Sequence, residues 1–215
     1  MRNSMEKRVM IARSTHKVLT GRRSVRKFKE QEPIPEHVMG RIVKAAAFAP
    51  SACNLQPIDY LAVTSQASKE RISPHLRWAT NLNDEMPKTG ERPSLYIIPL
   101  MDREKIARLN EVKNIDRRLL ENAHLISLGC AVANLVNQAH AEGIGSCIVG
   151  AIDERAIRVD FGIAAKYSIP LVIALGYPLE SPRIELVAGD SPPTYYRDGN
   201  GVWVVQKREV EIKAI

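Results

Sequence analysis

Three short segments of this 215-residue chain carry side chains whose types and spacing could do chemistry. The first is Arg22-Arg23-Ser24-Val25-Arg26. A guanidinium grips a phosphate through parallel N–H groups, and a serine hydroxyl adds a neutral donor. In an extended segment alternate residues face the same way, so Arg22, Ser24 and Arg26 would converge while Arg23 points elsewhere. The same run equally suits a solvated basic turn after a helix, where cations meet the C-terminal end of the dipole. The second segment is Ala49-Pro50-Ser51-Ala52-Cys53-Asn54-Leu55-Gln56-Pro57. Its small residues would let a ligand approach the backbone, and the amides of Asn54 and Gln56 both donate and accept. That chemistry matches a neutral heterocycle with mixed edges, and it also matches a plain helix-to-strand turn. The third is Gly143-Ile144-Gly145-Ser146-Cys147-Ile148-Val149-Gly150-Ala151. Its glycines follow a helical pattern instead of opening a helix after a strand, which argues against a dinucleotide fingerprint. It reads as backbone passing close to something flat, with accessible N–H groups at Gly150 and Ala151 and apolar surface from Ile148 and Val149.

No catalytic triad, paired-carboxylate motif, His-Glu-x-x-His or zinc spacing is present in the sequence. His16, His37, His75, His124 and His140 are scattered. We therefore assign no catalytic side chain and no metal ligand; a protein with phosphate and heterocycle candidates but no acid–base set leaves the chemistry to a cofactor. Cys53, Cys130 and Cys147 are an odd count without metal-like spacing, which fits a reducing compartment and a cytoplasmic location.

The elements that must position these segments follow from periodicity. A helix is expected around Glu6–Thr20, with residues 1–17 as an N-terminal extension. Pro35 suits the start of a second helix, which carries Val38, Ile42, Val43, Ala46 and Ala47 and must stop near Pro50. Ile58 to Thr64 reads as a strand, Gln66 to Leu76 as a short helix, Ser94 to Leu100 as a buried strand and Asp102 to Asn110 as a helix. Between them, residues 77–93 form a polar excursion containing Trp78. Asp116 to Glu142 is the longest helical pattern. It is almost wholly apolar or small from Leu125 to Val136, as expected of a central buried helix stopped by Gly143. Ser146 to Val149 is extended, Asp153 caps a helix to about Phe161, and Ile169 to Leu175 is a strand buried on both faces. Residues 177–201 hold four prolines and no core pattern; Val202 to Val205 is then a lone strand expected to pair at a distance, with a second subunit as the partner. The order predicts one α+β domain over residues 1–215, with a central sheet flanked by helices and a C-terminal dimer arm over 177–215.

Composition limits the function classes. With 45% hydrophobic and 26% charged residues the chain is neither disordered nor collagen-like, and apolar stretches such as Ile169 to Leu175 are too short to span a bilayer. Met1 to Thr20 lacks the apolar run of a signal peptide. The net charge of +7 is concentrated: residues 1–44 hold 12 basic and 4 acidic residues, and the remainder is nearly balanced. A nucleic-acid arm would show such a bias, but no nucleic-acid-binding module accompanies it.

Taken together, the segments resemble the FMN-dependent nitroreductase family. The resemblance rests on Arg-Arg-Ser-x-Arg-x-Phe at Arg22 to Phe28, on Ala-Pro-Ser-Ala-x-Asn-x-Gln-Pro at Ala49 to Pro57, on Gly-Ile-Gly-Ser-Cys at Gly143 to Cys147 after a long helix, and on Pro-Leu-Val-Ile-Ala-Leu-Gly-Tyr-Pro at Pro170 to Pro178. It covers about residues 18–205. It implies an α+β nitroreductase-like fold with a mixed or antiparallel sheet, a strand-exchanged homodimer with FMN sites at the interface, and ping-pong transfer of a hydride from NADH or NADPH through FMN to a small-molecule acceptor such as a nitroaromatic or quinone. By motif position it implies that Arg22, Arg23, Ser24 and Arg26 hold the phosphate and ribityl end or a flavin edge. It further implies that Pro50, Ser51, Ala52, Asn54 and Gln56 line the ring from the partner subunit. Ile148, Val149, Gly150 and Ala151 would run along the ring, and Arg197, with Arg183 as competitor, would complete the phosphate site. A non-catalytic flavin sensor or carrier and a basic nucleic-acid binder are the alternatives. The chain departs from the family pattern at Ile58, where an aromatic is common, at Ile148, where Trp is common, and at Ser127, where an acid is common; these positions bear on the acceptor.

Overall fold

The computed structural model describes residues 14–78, 87–113, 116–189 and 192–210. The expected helix before residue 14 and residues 79–86 of the polar excursion lie outside them.

Residues 14–21 form helix α1. Helix α2 (Glu36–Ala47) begins after Pro35 and buries Val38, Ile42 and Ala46, the i, i+4, i+8 row that its sequence offers. After strand β1 (Ile58–Val63), the segment expected as one helix divides into α3 (Gln66–Ile72) and a 3-10 turn, Ser73–His75, because Pro74 cannot continue the α ladder. Strand β2 (Leu95–Asp102), helices α4 (Arg103–Lys113) and α5 (Arg117–Ala141), strand β3 (Gly145–Val149), helix α6 (Glu154–Asp160) and strands β4 (Tyr167–Ser168) and β5 (Val172–Gly176) follow. Asp116 caps α5 by accepting from Leu119 N, and Asp153 caps α6 by accepting from Ala156 N. Gly143 has φ +75° just past α5, the left-handed stop expected of it.

The main sheet has the order β1-β2-β5-β3, antiparallel throughout, with β4 paired to the end of β2. Its two faces separate by the strand period of two. Leu95, Ile97 and Met101 of β2 and Ile173 and Leu175 of β5 pack with α2 and α5. Tyr96, Ile98, Leu100, Val172 and Ala174 face the other way, onto Ile72, Leu76, Trp78 and Ile157. Cys147 and Val149 of β3 join this second layer. Trp78, placed by sequence on a surface excursion, is therefore a core residue at 5% exposure.

Helix α5 departs from expectation. Its middle, from Leu125 to Val136, is almost wholly apolar or small, and by length and composition the helix is apolar enough to cross a bilayer, but it is not enclosed. Leu120, His124, Leu128, Ala131, Leu135 and Ala139 are buried, whereas Leu119, Leu125 and Ile126 are 57–68% exposed. Gly129 and Ala133 continue the exposed stripe at helical spacing.

The C-terminal region also differs. Residues 177–201 contain two strands, β6 (Arg183–Val187) and β7 (Tyr195–Arg197). Strand β8 (Trp203–Arg208) is not alone: it pairs in parallel with β6 and antiparallel with β7, inside its own chain. The strand expected to stand alone thus has both neighbours within its own chain, in a three-stranded sheet. β6 escaped the sequence reading because it has no core to face: Ile184 and Leu186 are both exposed.

Candidate functional site

The basic segment after α1 is held against the ends of β3 and β5. Ser24 forms a bridge with Ser146 and Phe28 with Pro178, while Val25 N donates to Ser146 O at 2.9 Å. Two glycines make this approach possible. Gly145 and Gly176 are cross-strand partners, and a Cβ on either would lie 3.0 Å from Val25 or Phe28 respectively. Arg26 N donates to Glu180 Oε1 at 2.5 Å, which fixes the far end of the run.

The cations take different surroundings. Arg23 turns back, donating to Thr20 O and Arg22 O at the end of α1, as a helix C-terminal cation does. Arg22 lies half-buried beside Ile148 and the exposed face of α5, with no acceptor for its guanidinium among the described residues. Burial pulls its pKa below the ordinary guanidinium value. His140 is held below the usual imidazole range by burial, and then by Arg22 and Arg23. The Arg26 guanidinium stands 5.6 Å from the Tyr195 ring and 5.5 Å from the Trp203 ring. Arg197 stands over the same Trp203 at 4.4 Å, so β7 and β8 bring it to Arg26; Arg183 instead pairs with Asp198 at 3.5 Å.

Buried polar atoms without partners gather here: Arg26 Nε, Ser146 Oγ and Trp203 Nε1. Orphaned donors beside clustered cations are an arrangement that suits an anion. Glu180, Tyr195, Trp203 and Ser146 were not singled out by sequence. Trp203, one of only two tryptophans, and Ser146, within the glycine-rich segment Gly143 to Ala151, offered a signal; Glu180 lies in a Pro-rich run that gave none.

The second segment adopts an unusual backbone. Cys53, Asn54 and Gln56 all have positive φ (53°, 51° and 48°), and none is glycine. Each such residue stores about 1–3 kcal/mol, and such strain clusters where a ligand is bound. Side chains hold the turn: Gln56 N donates to Ser51 Oγ, Gln56 Nε2 to Asn54 Oδ1, and Ala52 N to Ser127 Oγ of α5. This leaves the Asn54 amide N–H groups as donors and the Gln56 carbonyl as an acceptor, the mixed edge that a heterocycle requires. Pro50 is exposed at the lip.

In the third segment Ile148 is 41% exposed on the α5 side, and Gly150 and Ala151 are exposed, with nothing within 4 Å of where a Gly150 Cβ would stand. Val149, expected to add apolar surface, instead turns its side chain into the core at 4% exposure because it sits on the alternate face of β3.

Among the described residues the segments line two separate depressions. Arg22 and Ile148 line an open trough of about 390 Å3 with Leu125, Gly129, Val132 and Leu171. Pro50, Ser51 and Gln56 line a separate cleft of about 230 Å3 with Tyr60, Ser127 and Ala131. The exposed stripe of α5 runs between them, and the cleft alone is smaller than the ~300 Å3 at the low end of ligand pockets.

Comparison with known proteins places the chain among relatives of one family. The Nitroreductase family model matches residues 19–177. The NADH dehydrogenase of Thermus thermophilus is 26% identical over 180 residues, covering 74% of this chain and 84% of that protein. Among solved structures, nitroreductase A of Vibrio parahaemolyticus superposes with a TM-score of 0.63 at 23% identity, covering 79% of this chain and 70% of the other. An FMN-dependent nitroreductase of Clostridium difficile gives 0.57 at 24% identity, covering 76% and 87%.

Proposed function

The chain belongs to the nitroreductase family, and from that premise we propose that it is an FMN-dependent oxidoreductase using NADH or NADPH to reduce a small-molecule acceptor. The observation that carries this reading is the cluster of unpartnered donors and cations around Arg22, Arg26, Ser146 and Trp203, which suits a phosphate monoester. FMN bound there would supply the redox chemistry, taking a hydride from the nicotinamide and passing electrons to the acceptor. The chain's own residues hold and orient. Arg22 and Arg26 neutralise the phosphate, with Arg197 as the third cation, Ser24 adds its hydroxyl, and Arg23 contributes by closing α1 behind them. Ile148 offers an apolar bed, and the accessible backbone of Gly150 and Ala151 lets a flat ring come close. Pro50, Ser51, Ala52, Asn54 and Gln56 present the mixed polar edge.

A homodimer belongs to the same proposal. The trough and the cleft flank one exposed apolar stripe, Leu119, Ile126, Gly129 and Ala133, and a two-fold pairing of α5 helices would bring the trough of one subunit to the cleft of the other. A cytoplasmic location fits the three free thiols Cys53, Cys130 and Cys147. Neither nucleic acid nor membrane is needed to account for the N-terminal charge.

The test is direct. The purified protein should be yellow, release FMN on denaturation and bleach anaerobically with NADH or NADPH. A colourless protein that takes up no added FMN would overturn the reading. Bound FMN that neither nicotinamide reduces would make the protein a flavin carrier.

A further inference from the structure

Residues 75–77 are zipped to 151–153. Leu76 bridges Ile152, Arg77 N donates to Ala151 O at 2.9 Å, and Asp153 N donates to His75 O at 2.9 Å. Leu76 and Trp78 are buried at 1% and 5% exposure, so the side chain of Arg77, between them, leaves on the opposite face, and it is exposed. Its guanidinium has no acceptor among the described residues. Acids on the segment zipped to it and on α6 are already engaged: Asp153 caps α6, Asp160 pairs with His75 at 2.8 Å, and Glu154 pairs with Arg158 at 2.6 Å. Nearby Arg71 is stacked over Phe161 at 5.2 Å. Among the described residues Arg77 is thus an uncommitted cation, with its backbone fastened to Ala151 beside the open space in front of Gly150.

We infer that Arg77 is an anion anchor for the molecule that enters over Gly150–Ala151: it grips a phosphate of the nicotinamide donor or a carboxylate of the electron acceptor. This rests on the flavin oxidoreductase reading above. A guanidinium free of internal partners presents its whole fork to an incoming oxyanion, and a fastened backbone keeps the fork at the mouth of the site. The anchor selects charged substrates and contributes nothing to the chemical step, so its removal raises KM and leaves kcat in place.

The experiment uses the FMN-loaded full chain with Arg77→Ala and Arg77→Lys. Reduction is followed anaerobically with NADH, NADPH and the phosphate-free donor N-benzyl-dihydronicotinamide; reoxidation is followed with para-nitrobenzoate and the uncharged para-nitrobenzamide. Arg77→Ala should weaken the charged member of one arm by about 10-fold or more, the loss of one charge-assisted contact, and leave the uncharged member and FMN occupancy unchanged. Arg77→Lys should recover part of the loss. An effect confined to NADPH identifies the 2′-phosphate, an effect on both nucleotides the pyrophosphate, and an effect on nitrobenzoate the carboxylate. Equal shifts for charged and uncharged partners, or none, overturn the inference while the flavin reading stands. Failure of the wild type to hold FMN would sink both.

Discussion

Replacing Arg22 by methionine should strengthen the apoprotein and weaken the holoprotein. A structural arginine gives up its partners when removed, and the fold weakens with it. Arg22 has no partner to lose: it is half-buried, lacks an acceptor among the described residues, and sits next to Arg23 and His140. Partial desolvation of an unpaired cation is unfavourable by a fraction of the several kcal/mol that full burial costs, and methionine fills a similar length without charge. We expect the apoprotein to gain up to about 1 kcal/mol, which for a chain of this size raises Tm by roughly 2–4 °C. FMN affinity should fall by the loss of one phosphate contact, about 1.5–3 kcal/mol, or some 10- to 150-fold in Kd. The pKa of His140 should rise, because one of the two cations that hold it down is gone. Thermal unfolding of apoprotein, fluorescence titration with FMN and NMR titration of the imidazole read these three quantities separately. A lower apo Tm together with an unchanged FMN Kd would refute the argument.

Three further outcomes follow from individual sites. Nothing lies within 4 Å of a Cβ built on Gly129, so Gly129→Trp should leave the subunit folded, by circular dichroism, yet convert a dimer to monomers in sedimentation; a dimer that survives would remove α5 from the interface. Burial pushes the Cys147 thiol up to about 11, so at pH 8 iodoacetamide should modify exposed Cys53 and spare Cys147 until the protein is unfolded. Because the unfolded chain releases that proton near 9 and the folded one near 11, stability should also decline across this alkaline window. Glu142 accepts from Arg41 at 2.7 and 2.8 Å, and this fork holds its carboxyl down at about 2. The contribution is present above pH 4.5 and lost as pH falls toward 2; since Arg41 is largely exposed, Glu142→Gln should cost no more than about 1 kcal/mol in denaturant unfolding at pH 7.

What could be read from sequence was local. The period of two in an extended chain set Arg23 apart from Arg22 and Arg26, and α2, β1 and β5 announced themselves by spacing and by proline. Three things depended on distant partners and were not legible. The left-handed turn at Cys53, Asn54 and Gln56 carries no glycine to signal it and is held by Ser127 on another element. The apolar middle of α5 predicts burial all round, whereas one stripe of it, with Leu119, Leu125 and Ile126, is exposed. Strands β6 and β7 needed β8 to exist, and Trp203 gained its role only when that sheet set it against Arg26.

The glycine-lined seat for Val25 and Phe28 has a consequence for the order of assembly. Its two walls, Gly145 and Gly176, lie more than a hundred residues downstream of the segment they receive. At synthesis rates of about 5–20 residues per second, the basic segment waits roughly 6–30 s after emerging before its seat is made. During that interval its arginines are free for other polyanions. The contact that seats the basic segment is therefore highly non-local, and non-local contacts form late. The expected sequence is a sheet that closes first, a basic strand that docks second, and a cofactor that arrives last; substitution of either glycine should slow or prevent the second step without disturbing the first.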